Sequence, residues 1–76
     1  MEELVRLIAT SLVDSPDQVQ VSSEERENEV RIELRVAEGD MGKVIGKQGR
    51  IAKAIRTVVT AVATRENKVV SIEIIQ

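Results

Sequence analysis

Gly42-Lys43-Val44-Ile45-Gly46-Lys47-Gln48-Gly49-Arg50 reads as the end of a short helix, a turn framed by two glycines, and the start of a longer helix. Gly46 and Gly49 remove Cβ atoms where a chain reversing between helices needs positive φ, or where a backbone must come very close to a ligand. Lys47 and Gln48 are expected at the exposed tip. The amides that open the following helix present unpaired N–H groups and the positive end of its dipole, which favours an anion. Lys43, Lys47, Arg50 and Lys53 are placed around that point, so the segment has the features of a grip for a phosphate backbone.

Charge along the chain supports this. The net charge is −2 over 76 residues, but it is divided unevenly: Met41 to Arg65 holds six basic residues and no acid, while the rest holds five basic residues and all thirteen acids. The split is +6 against −8, and local field rather than net charge steers a polyanion to one face.

Composition excludes several chemistries. Without Cys or His, the chain has no structural zinc site of the usual kind, no thiol nucleophile and no imidazole base. The residue five after Gly42 is Lys47, so the loop is not a nucleotide-hydrolysing P-loop. The carboxylates fall in acidic runs with no base or metal partner, and an enzyme is not expected; nor is a metal, a cofactor or a small-molecule substrate. The start Met1-Glu2-Glu3 lacks a basic leader and an apolar run, and the expectation is a cytoplasmic protein without a membrane span. There is no Phe, Tyr or Trp, so bases cannot rest on the aromatic platforms of RNA-recognition motifs and OB-folds.

Working outward, Leu4, Val5, Ile8, Ala9, Leu12 and Val13 recur at helical spacing up to the turn Asp14-Ser15-Pro16-Asp17. Val19 and Val21 predict a short strand, followed by a charged stretch, Glu24 to Glu29, read as a solvated hairpin loop. Val30, Ile32, Leu34 and Val36 alternate with polar residues, which predicts a second strand with one buried face. Asp40 is placed to cap a short helix over Met41 to Ile45. Ile51, Ala54, Ile55, Val58, Val59 and Val62 predict the buried stripe of a third helix ending near Glu66-Asn67. Val70, Ile72 and Ile74 close the chain as a third strand. The order α-β-β-α-α-β predicts a two-layer α+β fold, with three helices on one face of a three-stranded sheet.

With Val44-Ile45-Gly46-Lys47-Gln48-Gly49 placed in that order, the chain resembles a KH domain of the bacterial type II arrangement over residues 1–76. The run Gly-Lys-Gln-Gly-Arg-Ile-Ala-Lys-Ala-Ile is particularly similar to the small stand-alone KH proteins of the KhpA (YlqC) family. The resemblance implies a single-stranded RNA-binding protein, an RNA chaperone or post-transcriptional regulator. In KH domains the Gly-Xaa-Xaa-Gly loop clamps the backbone of about four nucleotides while bases lie in a shallow groove. Carried over here, Gly46 and Gly49 allow close approach, Lys47 and Gln48 face phosphates and sugars, and Lys43, Arg50 and Lys53 supply charge. Val44, Ile45 and Ile51 are either apolar contacts for bases or ordinary core, and Arg31 and Arg35 either reach a base edge or pair with the glutamates across the sheet. Many KH domains place an isoleucine three residues after the second glycine, where this chain has Ala52 and carries Ile51 one residue earlier.

Thr57, Thr60, Ala61 and Thr64 lie at i, i+3, i+4 and i+7 of the third helix, a strip of short side chains that suits a dimer seam or a neutral surface equally. The resemblance implies self-pairing, pairing with a larger KH-containing protein of the KhpB type, and a link to cell elongation and envelope homeostasis. The alternative is a KH-fold protein-protein interaction module in which RNA contact is incidental.

Overall fold

A computed structural model describes residues 1–76. Its centre is the strongest alternation in the sequence: strand β2 (Glu29–Arg35) buries Val30, Ile32 and Leu34 on one face and exposes Arg31, Glu33 and Arg35 on the other. Strand β1 (Gln20–Arg26) pairs antiparallel with β2, and β3 (Val69–Ile75) pairs parallel on its other side, giving the order β1-β2-β3. The parallel register sets Val30 beside Val70, Ile32 beside Ile72 and Leu34 beside Ile74, so the apolar rows run continuously across the sheet. A parallel neighbour requires a crossover, and helices α2 (Met41–Ile45) and α3 (Arg50–Arg65) supply it.

Helix α1 (Glu2–Leu12) covers β1 with Val5 and Ala9, and α3 lies over β3. The fully covered core is aliphatic: Val5, Ile32, Leu34, Val44 and Val59 are each 0% exposed. The expected α+β architecture, with helices on one face of a three-stranded sheet, is the one observed.

Three expectations are corrected. The stretch Glu24 to Glu29 is not a loop: β1 continues to Arg26, only Glu27 and Asn28 form the turn, and β2 begins at Glu29. The charges sit in the ladder because Glu24 faces Arg31 and Arg26 faces Glu29 across the strands, Arg26 contacts Glu24 at 2.8 Å, and Glu25 pairs with Lys68. Opposite-charge neighbours of this kind stabilise a sheet without burial.

The stripe read on α3 is also rotated. Its buried residues are Ala52, Ile55, Val59 and Ala63; Ile51 and Val62 are half-buried, while Ala54 and Val58 are exposed. Alanine at 52 and 63 lets the helix backbone come close to its neighbours, and that proximity outweighs the larger side chain of Val58.

Asp40, finally, occupies the N-cap position of α2 without a side-chain cap hydrogen bond. Its carboxylate instead accepts the backbone N–H groups of Asp14 (3.1 Å) and Ser15 (3.0 Å), which lie 26 and 25 residues earlier. At 4% exposure it is the buried charged residue of the domain, and both oxygens are satisfied. A buried carboxylate needs such partners.

A core built only from aliphatic side chains has little redundancy. Ile32→Ala is expected to cost about 2–5 kcal/mol, a large share of a small domain's stability. Urea unfolding followed by far-UV circular dichroism measures it, and a change in midpoint corresponding to less than 1 kcal/mol contradicts the assignment of Ile32 to the centre of the core.

Candidate nucleic-acid interface

The single helical turn of α2 ends when the Gly46 N–H donates to the Gly42 carbonyl at 2.9 Å. Gly46 then adopts φ 73°, ψ 178°, a region open essentially to glycine alone. A Cβ built there would stand 2.4 Å from Cγ1 of Ile51, so torsion and packing both exclude a side chain. Lys47, Gln48 and Gly49 follow as one tight turn closed by the Gly49 N–H to the Gly46 carbonyl at 3.1 Å.

Gln48 (φ 55°, ψ 30°) and Gly49 (φ 79°, ψ 11°) are both left-handed. Apart from the adjoining backbone, no protein atom lies within 4 Å of the place a Cβ on Gly49 would take, which leaves the surface above it open. Gly49 is the N-cap of the sixteen-residue α3; it has no side-chain cap, and no acid occupies the first turn. The positive end of the dipole therefore faces solvent without a fixed counter-charge.

The structure brings together most of the residues expected at this site. Lys47, Gln48, Arg50 and Lys53 are exposed, and Lys47, Arg50 and Lys53 make no ion pair. Ile45 and Ile51 are half-exposed and provide apolar surface beside the loop. Ala52, in the position where many KH domains carry isoleucine, is buried, while Ile51 packs beneath Gly46.

Three residues stand differently. Val44 is fully buried in the core and supports the loop from below rather than meeting a ligand. Lys43 is held by Asp14, with Nζ to Oδ2 at 3.0 Å. That hydrogen bond and the charge of Asp14 keep the ammonium above its ordinary value, with a smaller pull from Asp40, so it is fully charged at neutral pH. Arg35 lies on the helix-free face of the sheet, where it donates to the Gln76 carbonyl at 2.9 Å and sits 3.8 Å from Glu33; it is not brought together with the glycine loop.

Against this geometry, the family model described as the KhpA/KhpB KH domain matches residues 2–74. The chain belongs to that family. KH domains of this family are not enzymes, and neither is this protein. The RNA-binding protein KhpA of Clostridium acetobutylicum is 63% identical over 75 residues, covering 99% of this chain and 100% of that one. The protein of the same name from Listeria monocytogenes is 50% identical over the full length of both, and that of Chlamydia trachomatis is 46% identical over 100% of this chain and 97% of its own. Among solved structures, Era in complex with MgGDPNP and nucleotides 1506–1542 of 16S ribosomal RNA aligns with a TM-score of 0.59 at 25% identity, over 97% of this chain and 28% of that one. No helix of this KhpA-family chain is long and apolar enough to cross a membrane.

The two glycines differ in what constrains them, and substitution should separate them. Gly49→Ala meets only the left-handed backbone cost of about 1–2 kcal/mol. Gly46→Ala adds the collision with Ile51 and is expected to lose clearly more. Equal midpoints for the two variants in urea unfolding would contradict the packing of Ile51 under Gly46.

Proposed function

We propose that this protein binds single-stranded RNA by clamping its backbone on the Gly46-Lys47-Gln48-Gly49 loop. The observation that carries the reading is the open, glycine-framed turn at the uncapped N-terminus of α3, ringed by the unpaired Lys47, Arg50 and Lys53 in a segment free of acids. The naming of full-length relatives as RNA-binding proteins supports it.

Phosphates meet the α3 amides and the lysine and arginine side chains, Gly49 admits the backbone closely, and Ile45 and Ile51 offer apolar surface to the bases. Phosphate contacts hold without specifying sequence, so discrimination between sequences is modest. With about four nucleotides engaged, affinity lies in the micromolar range and falls with roughly the third power of salt concentration. Such binding suits an RNA chaperone or post-transcriptional regulator that works beside a second module.

The second module is another KH domain, a second copy or a larger KhpB-type protein; the shared KhpA/KhpB family model supports the kinship of the two. Thr57, Thr60, Ala61 and Thr64 are exposed on α3, and the exposed Val58, which periodicity assigned to the core, adds apolar surface on the same helix. We assign the seam to this outer side of α3. On the family resemblance alone, the process served is post-transcriptional control bearing on cell elongation and envelope homeostasis.

Lys47→Asp with Gln48→Asp sets negative charge against phosphate while leaving the fold intact, because aspartate tolerates the left-handed conformation at 48. Fluorescence anisotropy of labelled single-stranded RNA across a salt series should show binding weakened at least tenfold and a shallower salt dependence. Unchanged binding removes the loop as the site. For the seam, Ala61→Glu is expected to shift sedimentation toward the monomer mass; no change in mass rejects that surface.

A further inference from the structure

Lys43 differs from the other basic residues of the proposed clamp, because a carboxylate already occupies it. Lys47, Arg50 and Lys53 have no ion-pair partner, whereas Lys43 Nζ lies 3.0 Å from Asp14 Oδ2. Lys43 stands three residues before Gly46 on the turn of helix that leads into the loop, close to the proposed path of the RNA backbone.

Ion pairs between two exposed, flexible side chains contribute little, but Asp14 is not free to wander. Its backbone N–H donates to Oδ1 of Asp40 at 3.1 Å, and the neighbouring Ser15 N–H donates to Oδ2 at 3.0 Å. Asp40 is buried at the N-cap of α2, three residues before Lys43, so the two partners are mounted on one junction. The backbone at 14–15 is fastened to the helix that carries Lys43. The carboxylate of Asp14, 78% exposed, is thereby presented both to the ammonium and to the solvent through which RNA arrives.

We propose that Asp14 is an affinity-determining residue of this site: it holds Lys43 as a latent phosphate ligand and competes with RNA for it. The inference rests on the RNA-binding reading above. For a phosphate to take Lys43 it must displace the carboxylate, so the gain from the new contact is offset by the loss of the old one, and Asp14 is left unpaired near a polyanion. The pair also lowers salt sensitivity, because a lysine already neutralised by a carboxylate does not act as a full phosphate contact. Removing the competitor converts Lys43 into an ordinary ligand and adds one contact to the count.

The test is anisotropy titration of labelled single-stranded RNA across a salt series with the wild type, Asp14→Asn, Asp17→Asn and the same two substitutions in a Lys43→Gln background. Asp17 lies in the same turn, is exposed and makes no ion pair, so it controls for general loss of negative charge. Asp14→Asn is expected to tighten binding about two- to fivefold, the range of a surface ion pair. The salt exponent should steepen by about 0.7, the value of one single-strand phosphate contact. With Gln at 43, Asp14→Asn should gain no more than Asp17→Asn.

A change in exponent is not something a purely structural role of Asp14 would produce. If the wild type binds and Asp14→Asn shows the same affinity and slope, or only what Asp17→Asn shows, or keeps its gain without Lys43, the inference is overturned and the RNA reading stands. If neither wild type nor Asp14→Asn binds at any salt concentration, the RNA reading fails and takes the inference with it.

Discussion

Packing of Ile51 beneath Gly46 is the contact on which the functional surface depends. Ile51 is the second residue of α3, and its side chain fills the space that any Cβ on Gly46 would need. That contact reserves position 46 for glycine, which takes φ 73°, ψ 178° as the chain turns out of α2, and α3 then begins at Arg50, after its N-cap Gly49, with its first turn uncovered. Because α3 is in turn seated on the sheet through Ala52, Ile55, Val59 and Ala63, the orientation of its exposed N-terminus is fixed by the core. The loop is therefore tied at both glycines to packed elements of the fold, through Ile51 beneath Gly46 and through α3 after Gly49.

Charge is distributed to match. The acids are used where they stabilise the scaffold: Glu24 and Glu25 in pairs on β1, Asp40 as the buried anchor of the 14–15 backbone, Asp14 against Lys43. The bases from Lys47 to Lys53 are left without partners. The helix-free face of the sheet also carries charge, but Glu24, Arg26, Glu29 and Arg31 alternate in sign around a hollow with no apolar wall. A face balanced in this way does not attract a polyanion, and the α3 terminus does.

Much of the fold was legible because its signals are local. The period-two run from Val30 to Val36 and the helical spacing from Leu4 to Leu12 each report one buried face directly. The glycine turn was legible as a motif, since Gly46 and Gly49 occupy torsions that other residues avoid. What escaped was set by partners far along the chain or by size rather than polarity. Asp40 reads as a helix cap until the fold brings Asp14 and Ser15 to it. The buried face of α3 is chosen by alanines at 52 and 63, which carry a weaker apolar signal than Val58. The strand character of Glu24 to Arg26 depends on Arg31 and Lys68, neither of which adjoins it in sequence. At the site, Lys43 looked like a free cation because the spacing of residues does not reveal that Asp14 is fastened beside it.

The central claim, that the uncapped start of α3 and its glycine loop receive the RNA backbone, is tested most directly by the backbone amides themselves. Titrating the 15N-labelled protein with a short single-stranded RNA and following each amide by NMR reads every position at once. The account predicts that the largest shifts fall on Gly46 to Arg50 and on the first turn of α3 through Lys53, with the helix-free face at Arg31 and Arg35 unmoved. Shifts confined to that face, or to Thr57 through Thr64 with the loop silent, would contradict it.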